Sequence, residues 1–288
     1  MMDTRTAPST RRTFLLVSLA MLAFAANSLL CRLALRGTGI DAASFTAIRL
    51  ASGALVLTLI VAWPQRRLQS VRGSWSSAAA LFAYAAAFSF AYLELSAATG
   101  ALLLFGAVQT TMISVGLWSG ERFQKAQLLG FLLAIGGLAG LLLPGVAAPP
   151  PGAAALMVLA GIAWGMYSLR GRGQGDPTQA TAGNFVRTLP WVLLLLLLAP
   201  LPGMPDTRGI LLAVASGALA SGIGYALWYA ALPALAATQA ATLQLSVPVI
   251  TAIGGVLFLG EALSLRLVLA SIAILGGIAL VVLKRAPR

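Results

Sequence analysis

Two stretches of the chain follow one pattern, LSAATGALLLFGAVQTTMISVGLWSGERFQKAQLLGFLLAIGGLAGLLL at residues 95–143 and LAATQAATLQLSVPVITAIGGVLFLGEALSLRLVLASIAILGGIALVVL at residues 235–283. With an offset of 140 residues, Gly120-Glu121 aligns with Gly260-Glu261. At the same offset, a Gly-Gly pair at 136–137 aligns with one at 276–277. The chain is therefore built from two related halves.

Composition places the chain in a membrane. Of its 288 residues, 59% are apolar and only 9% are charged, whereas an ordinary soluble domain has about 25% charged residues. A bilayer core of about 30 Å is crossed by about 20 residues of apolar helix, and ten segments of this chain are long enough. The predicted spans are 13–35, 42–63, 76–93, 97–119, 124–143, 152–170, 179–200, 209–230, 235–258 and 265–283.

The number of spans per half fixes the orientation of the repeats. A proline run at 149–151 divides the chain into a first half, 1–148, and a second half, 149–288, which together form one membrane domain. Because each half has an odd number of spans, equivalent helices cross the bilayer in opposite directions, as in many secondary transporters. The sequence predicts an all-α integral membrane protein with ten transmembrane helices arranged as two inverted five-helix repeats.

Basic residues mark the loops on one side of the membrane. The net charge is +12, but the Arg and Lys residues are scattered through short loops, which indicates membrane topology rather than a nucleic-acid partner. With the N-terminus inside, 13 of them lie in inner segments and three, Arg36, Arg208 and Arg266, in outer ones. Arginine outnumbers lysine 17 to 2, which suits a GC-rich genome. We therefore predict a bacterial inner-membrane protein with both termini in the cytoplasm.

The side chains that ordinary catalysis and metal binding require are scarce. The chain has no His, its one Cys is Cys31, and none of its seven acidic residues lies in the middle of a predicted span. This favours a protein that is not an enzyme, uses no metal or cofactor, and works without proton coupling, which needs an ionisable group inside the membrane. Glu94, Glu121 and Glu261 serve coupling only if the membrane buries them. For Glu121 and Glu261 we expect instead a stabilising position at the start of the next helix.

Aromatic side chains recur every four residues on two spans. Tyr84, Phe88 and Tyr92 do so on the third span, and Tyr225 and Tyr229 on the eighth, so each set lies along one helix face. With the few neutral polar residues near the membrane centre, they predict a mostly apolar substrate cavity; helix packing and the interfacial aromatic belt are the alternatives. The candidate residues are Phe24, Asn27, Tyr84, Phe88, Gln109, Trp164, Tyr167, Tyr225, Trp228, Gln244 and Ser246.

Three further residues within the spans have two interpretations each. Pro248, in the ninth span, deprives the carbonyl of Gln244 of its helical donor, so the helix bends there either as a hinge or as a static kink. Arg49 and Arg187 occupy corresponding positions in the second and seventh spans. Each either neutralises a substrate carboxylate or satisfies carbonyl groups of neighbouring helices.

Over nearly its whole length the chain resembles the EamA-type drug/metabolite transporter superfamily. The resemblance rests on motifs that occur together, namely the Gly-Glu pairs at 120–121 and 260–261, Pro248, Arg49, and GYALWY at 224–229. The chain departs from the family pattern at two positions. Val108 stands where the family has a proline equivalent to Pro248, and Arg32 stands where the family often has a lysine. The resemblance implies a basket of helices around a central cavity formed by spans 1, 3, 4, 6, 8 and 9.

Within that superfamily the chain is most similar to the aromatic amino acid exporters of the YddG type. The resemblance implies export of small neutral or zwitterionic metabolites, chiefly aromatic and other bulky amino acids, by alternating access. The alternative is a multidrug exporter of lipophilic cations, whose charge aromatic faces attract. We expect a monomer whose partners are small-molecule substrates and the lipid bilayer.

Overall fold

The computed structural model describes residues 10–63, 72–120, 122–145, 147–171, 175–199, 205–235 and 237–283. Over these residues the chain forms ten helical spans and no strand. We number them α1 (Thr10–Gly37), α2 (Ala42–Ala62), α3 (Trp75–Ala91), α4 (Ala97–Trp118), α5 (Lys125–Leu142), α6 (Pro151–Arg170), α7 (Pro177–Leu198), α8 (Thr207–Ala234), α9 (Ala237–Gln244 and Ser246–Leu259) and α10 (Leu265–Leu283). Nine are long and apolar enough to cross a membrane, and α3 is shorter. The predicted all-α fold of ten spans is confirmed.

Short polar side chains set the start of several helices. Asp41 Oδ1 accepts hydrogen bonds from two backbone N–H groups in the first turn of α2, each at 2.9 Å. These are donors that a helix leaves without a partner at its N-terminus. Ser74 and Ser96 cap α3 and α4 in the same way. Gly260 ends α9 in the left-handed conformation (φ 64°), which a residue without a Cβ atom adopts most easily. Local chemistry therefore fixes these helix ends.

Adjacent helices alternate in direction. Gln127, at the start of α5, donates to the carbonyl of Val281 at the end of α10 (3.3 Å). At the far end of this pair, Arg266 donates to the carbonyl of Gly140 (2.8 Å). We call the end with the starts of the odd-numbered helices the basic end; it carries Arg11, Arg12, Arg72, Arg122, Lys125 and Arg170. The other residues predicted to lie inside, Arg5, Arg66, Arg67, Arg172, Lys284, Arg285 and Arg288, are outside the described residues.

Contacts between helices follow a two-fold pattern. α2 packs against α7 and α5 against α10, so each of these helices meets its counterpart in the other half. α3 and α4 pack on α6, while α8 and α9 pack on α1. Exchanging the two halves leaves this set of pairs unchanged, as expected for two inverted copies of five helices.

Glycines allow two pairs of helices to approach closely. A Cβ atom at Gly130 of α5 would lie 2.5 Å from the carbonyl oxygen of Gly277 in α10. A Cβ atom at Gly217 would likewise collide with the carbonyl of Arg49, where α8 meets α2. In a membrane, apolar side chains gain little by leaving lipid for another helix, since lipid chains are equally apolar. Helices therefore associate through close contacts at small residues such as these glycines. The abundant glycines of the sequence are thus used at helix interfaces.

Two helices are irregular near the centre of the bundle. In α8, residues Ala215–Ile223 form a π-helix, a rare conformation that is common at functional sites. There the hydroxyl of Ser216 donates to Asn27 Oδ1 of α1 (2.6 Å). The other helix, α9, is interrupted at Leu245, three residues before Pro248. A break is expected near a proline, because its ring blocks the helical hydrogen bond of the preceding turn.

Candidate substrate cavity

A cavity of about 1450 Å³ lies between the helices. It begins near the middle of the bundle, at Phe24 and Tyr84, and extends to Arg122 and Pro177 at the basic end. Among the described residues, those that line it come from the centre and the basic end only. α1, α3, α4, α6, α8 and α9 contribute, as the family resemblance implied, and so do the basic ends of α5, α7 and α10. The mouth of the cavity is therefore at the basic end.

The structure brings most of the candidate residues together at this cavity. Ten line it: Phe24, Asn27, Tyr84, Phe88, Gln109, Trp164, Tyr167, Tyr225, Trp228 and Gln244. Ser246 is not among the lining residues, and its hydroxyl donates to the carbonyl of Leu243 (2.6 Å) at the break in α9. Pro248 is buried away from the lining. That these residues bind substrate remains a prediction.

Rings from four helices form a continuous surface that we call the aromatic wall. Its members are Phe24, Tyr84, Trp164, Tyr167, Tyr225 and Trp228. Trp164 is stacked on Tyr225 (centroids 5.3 Å apart, planes 19° apart) and on Tyr167 (5.1 Å, 22°). Phe24 meets Trp228 edge to face at 6.2 Å. Such a wall offers a flat apolar ligand both stacking and edge contacts.

A chain of hydrogen bonds crosses the closed end of the cavity. Ser216 of the π segment donates to Asn27 Oδ1. Asn27 Nδ2 in turn donates to the Tyr84 hydroxyl (3.3 Å), which also accepts from Arg49 Nη2 (2.8 Å). The chain links α8, α1, α3 and α2 and holds the Tyr84 ring in place. Buried networks of this kind favour one arrangement of the helices that share them.

A second polar cluster lies nearer the mouth, and the sequence analysis missed two of its members. The hydroxyl of Tyr167 donates to Thr181 Oγ1 (3.1 Å), whose own hydroxyl donates to the Tyr229 hydroxyl (3.2 Å). Asn184 Nδ2 donates to the same Tyr167 oxygen (3.3 Å). Thr181 and Asn184 line the cavity from the start of α7. Their three-residue spacing within an apolar span was the available signal.

Arg49 and Arg187, which correspond in sequence, differ in their surroundings. Arg49 is 1% exposed, and its guanidinium carbon lies 5.1 Å from the centre of the Tyr84 ring and 4.8 Å from that of Phe88. Its Nε and Nη1 atoms are buried without a hydrogen-bond acceptor. Arg187 instead donates to the backbone carbonyl of Gly183, four residues earlier (3.0 Å). Arg49 therefore holds two buried N–H donors without an acceptor beside residues that line the cavity.

An ion pair lies at the end opposite the mouth. Arg32 Nε donates to Glu261 Oε1 (3.1 Å), and Arg32 Nη1 donates to the carbonyl of Tyr92 (2.9 Å). Glu261 Oε2 accepts from the backbone N–H of Ala97, the first residue of α4 (2.8 Å). The expected position of Glu261 was thus wrong: α10 begins at Leu265, and the carboxylate stabilises the N-terminus of α4 instead. Glu121 lies outside the described residues.

The bundle of ten helices, with a cavity that the described residues line from the centre to the basic end, is the architecture of a multi-pass membrane protein. Residues 11–143 and 152–283 each match the EamA-like transporter family. Together these two segments include almost the whole chain, and the chain therefore belongs to the EamA-like transporter family. Members of this family are transporters, which agrees with the expectation that the chain is not an enzyme.

Two individual proteins are similar to the chain over almost its whole length. An uncharacterized protein of Pseudomonas aeruginosa is 59% identical over 278 residues, which are 96% of this chain and 97% of that protein. A solved crystal structure superposes with a TM-score of 0.67, at 20% sequence identity, over 95% of this chain and 96% of its own. At that identity the structure supports the fold alone.

Proposed function

We propose that the protein exports aromatic and other bulky amino acids across the bacterial inner membrane. One observation carries the proposal: the aromatic wall, in which Trp164 stacks on both Tyr167 and Tyr225 beside the open volume of the cavity. A ligand with a planar side chain gains most from such a surface. The neutral polar groups of Asn27, Gln109 and Gln244 at the same cavity suit the polar part of a zwitterion.

The direction of transport follows from the distribution of charge. Because basic loops stay in the cytoplasm, we assign the basic end, and with it both termini and the mouth of the cavity, to the cytoplasmic side. The cavity then stands open to its substrate from within the cell. The ion pair between Arg32 and Glu261 lies on the periplasmic side and closes it. Release requires this ion pair to open.

The inverted halves, 1–148 and 149–288, provide the movement. Rocking of two repeats around a central site exposes that site to each side in turn. In α9 the break at Leu245 separates Ala237–Gln244, which borders the mouth, from Ser246–Leu259, which leads to Glu261. Pro248 prevents the two segments from joining into one helix, so we assign it the role of hinge.

Transport down a gradient fits the charges of the cavity. Among the described lining residues the one charged side chain is Arg122, at the mouth. A proton-driven carrier uses a group that gains and loses charge within the membrane during the cycle. We therefore propose facilitated export by a monomer that needs no cofactor.

The function is tested by counterflow in liposomes that contain the purified protein. The liposomes are loaded with unlabelled phenylalanine and diluted into labelled phenylalanine, tryptophan, leucine, glutamate or tetraphenylphosphonium. We expect transient accumulation of the aromatic and bulky amino acids and none in liposomes without protein. In a parallel experiment the liposomes are loaded with unlabelled tetraphenylphosphonium. Accumulation of labelled tetraphenylphosphonium, with no accumulation of any amino acid, would replace the proposal by export of lipophilic cations.

A further inference from the structure

We propose that Arg49 makes the cavity selective for ligands that carry a carboxylate, by placing an uncompensated positive charge and two unused N–H donors directly behind the cavity wall. This inference deepens the proposed function and rests on it for the position of the substrate. It assigns to the carboxylate end of the substrate a definite place, beside Tyr84 and Phe88, and it excludes lipophilic cations.

The charge of Arg49 has no counter-charge in the part of the chain that the structure describes. The ion pair found there joins Arg32 to Glu261. Arg49 donates one hydrogen bond, to the Tyr84 hydroxyl, and its Nε and Nη1 atoms are buried without an acceptor. A guanidinium retains its charge at physiological pH. A buried, unpaired charge is costly, and an anionic ligand at this place removes that cost.

Arg49 is close enough to the cavity to act on a ligand there. Its guanidinium lies 5.1 Å from the Tyr84 ring and 4.8 Å from the Phe88 ring, and both rings line the cavity. One layer of side chains therefore separates the charge from the ligand. Because Arg49 and both rings are buried, the field of the charge is screened less between them than it would be in bulk water.

The charge lies close to the aromatic wall against which a substrate ring would pack. The centroid of Trp164 lies 4.9 Å from that of Tyr84. In the proposed pose, a substrate ring packs against the aromatic wall beside Tyr84 and its carboxylate points to the Tyr84 hydroxyl. That hydroxyl already accepts from Arg49, so its own proton is free to be donated to the carboxylate, which transmits the charge of Arg49 to the ligand. A small shift of Tyr84 or Phe88 exposes the two unused donors directly.

Arg187, the corresponding arginine of the second half, is bonded within its own helix and lies away from the cavity. Arg187 donates to the carbonyl of Gly183 in its own helix and is absent from the cavity lining. The side chain of Arg49 instead donates to the Tyr84 hydroxyl and faces the rings of Tyr84 and Phe88. The difference makes Arg187 the matched control for Arg49.

The test compares two ligands that differ only in charge, 3-phenylpropionate and its amide, 3-phenylpropionamide. Binding to the purified wild-type protein is followed by its intrinsic tryptophan fluorescence, to which Trp164 and Trp228 in the cavity lining contribute. We expect the amide to bind at least about tenfold more weakly, the effect of losing a hydrogen bond to a charged group. Equal binding of the two ligands, or tighter binding of tetraphenylphosphonium than of the carboxylate, would overturn the inference.

Substitutions of Arg49 test whether this residue causes the preference for the carboxylate over the amide. In Arg49→Gln we expect the carboxylate and the amide to bind within about twofold of each other, while Arg187→Gln retains the wild-type preference. Arg49→Lys keeps the charge and should keep part of the preference. If folded Arg49→Gln still preferred the carboxylate as strongly as the wild type does, Arg49 would not be the source of the selectivity. If Arg49→Gln does not fold, the wild-type comparison still decides whether the site selects carboxylates, and Arg49→Lys against Arg187→Gln assigns the residue.

The binding test is separate from the test of transport. A protein that prefers the carboxylate but fails to move phenylalanine in counterflow would refute the proposed substrate and leave the selectivity of the site intact. A protein that moves phenylalanine and binds acid and amide alike would refute only the role of Arg49.

Discussion

Arg32 and Glu261, which are 229 residues apart in the chain, form an ion pair with Arg32 Nε and Glu261 Oε1 3.1 Å apart. Their side chains are 10% and 14% exposed. Around this pair Arg32 also bonds the carbonyl of Tyr92, and Glu261 bonds the N–H of Ala97. Residues from α1, the turn between α3 and α4, and the end of α9 are thus tied at one point. This point closes the end of the bundle opposite the mouth.

The first prediction is that Glu261→Gln opens this end more often. A hydrogen bond to a charged group contributes about 1.5–3 kcal/mol, so its loss should raise the open population about tenfold or more. The probe is Cys31, the one cysteine of the chain, which is buried one position before Arg32 and lies on the same helix face as the cavity residue Asn27. Its alkylation by a membrane-impermeant maleimide should be faster in the variant.

Two controls accompany this measurement. Arg32→Lys retains the charge pair and should react with the maleimide nearly as slowly as the wild type. Cys31→Ser should take up no label. A rate in Glu261→Gln equal to that of the wild type would mean that the ion pair does not hold the closed state.

The second prediction uses two adjacent glycines of α10. A Cβ atom at Gly277 would collide with the carbonyl of Gly130, whereas one at Gly276 meets open space. Gly277→Ala should therefore force α5 and α10 apart at a cost of about 1–3 kcal/mol. Gly276→Ala should be neutral or stabilising by up to about 1 kcal/mol, since alanine is the better helix former. The measurement is the melting temperature of each purified variant in detergent. Equal melting temperatures would contradict the packing described for α5 and α10.

Much of the fold was predictable because the thickness of the membrane sets the length of each spanning helix. A bilayer core requires runs of about 20 apolar residues, and breakers such as the prolines at 149–151 separate them visibly in the sequence. Some of the candidate residues that lie at the cavity were predictable for a related reason: i, i+4 spacing reports a shared helix face, as it does for Tyr84 and Phe88. Both signals are local, and the sequence carries them directly.

The remaining features depend on which helices meet, and local patterns do not carry that information. The π segment of α8 forms where Gly217 contacts α2 and Ser216 bonds α1, neither of which is close in sequence. Glu261 was expected to stabilise the start of the helix that follows it, whereas its partners in the structure, Arg32 and Ala97, belong to the first half. Thr181 was missed because a polar side chain in a membrane span is equally suited to packing between helices.

The third prediction concerns the break in α9. Pro248→Ala restores a backbone N–H that can bond the carbonyl of Gln244, so the two segments of α9 should join into a stiffer helix. We expect slower counterflow with little change in the melting temperature. The matched control is Pro190→Ala, since Pro190 lies on the exposed side of α7, which continues through it. Counterflow at the wild-type rate in Pro248→Ala would make the break a structural detail.

The fourth prediction concerns the driving force. Phenylalanine should leave loaded liposomes down its own gradient when no pH gradient is present. An imposed pH gradient should change the rate only as far as it changes the protonation of phenylalanine itself. Uphill accumulation driven by a pH gradient alone would contradict facilitated transport and direct attention to Glu94 and Glu261.

The most direct test of the account is phenylalanine counterflow in Trp164→Ala and Trp118→Ala. Both variants lose an indole, but Trp164 is stacked within the aromatic wall, whereas Trp118 ends α4 and is 93% exposed. Loss of the stacking surface should reduce counterflow in Trp164→Ala at least about tenfold, while Trp118→Ala transports like the wild type. Wild-type counterflow in a correctly folded Trp164→Ala would contradict the claim that substrate crosses the membrane through this cavity.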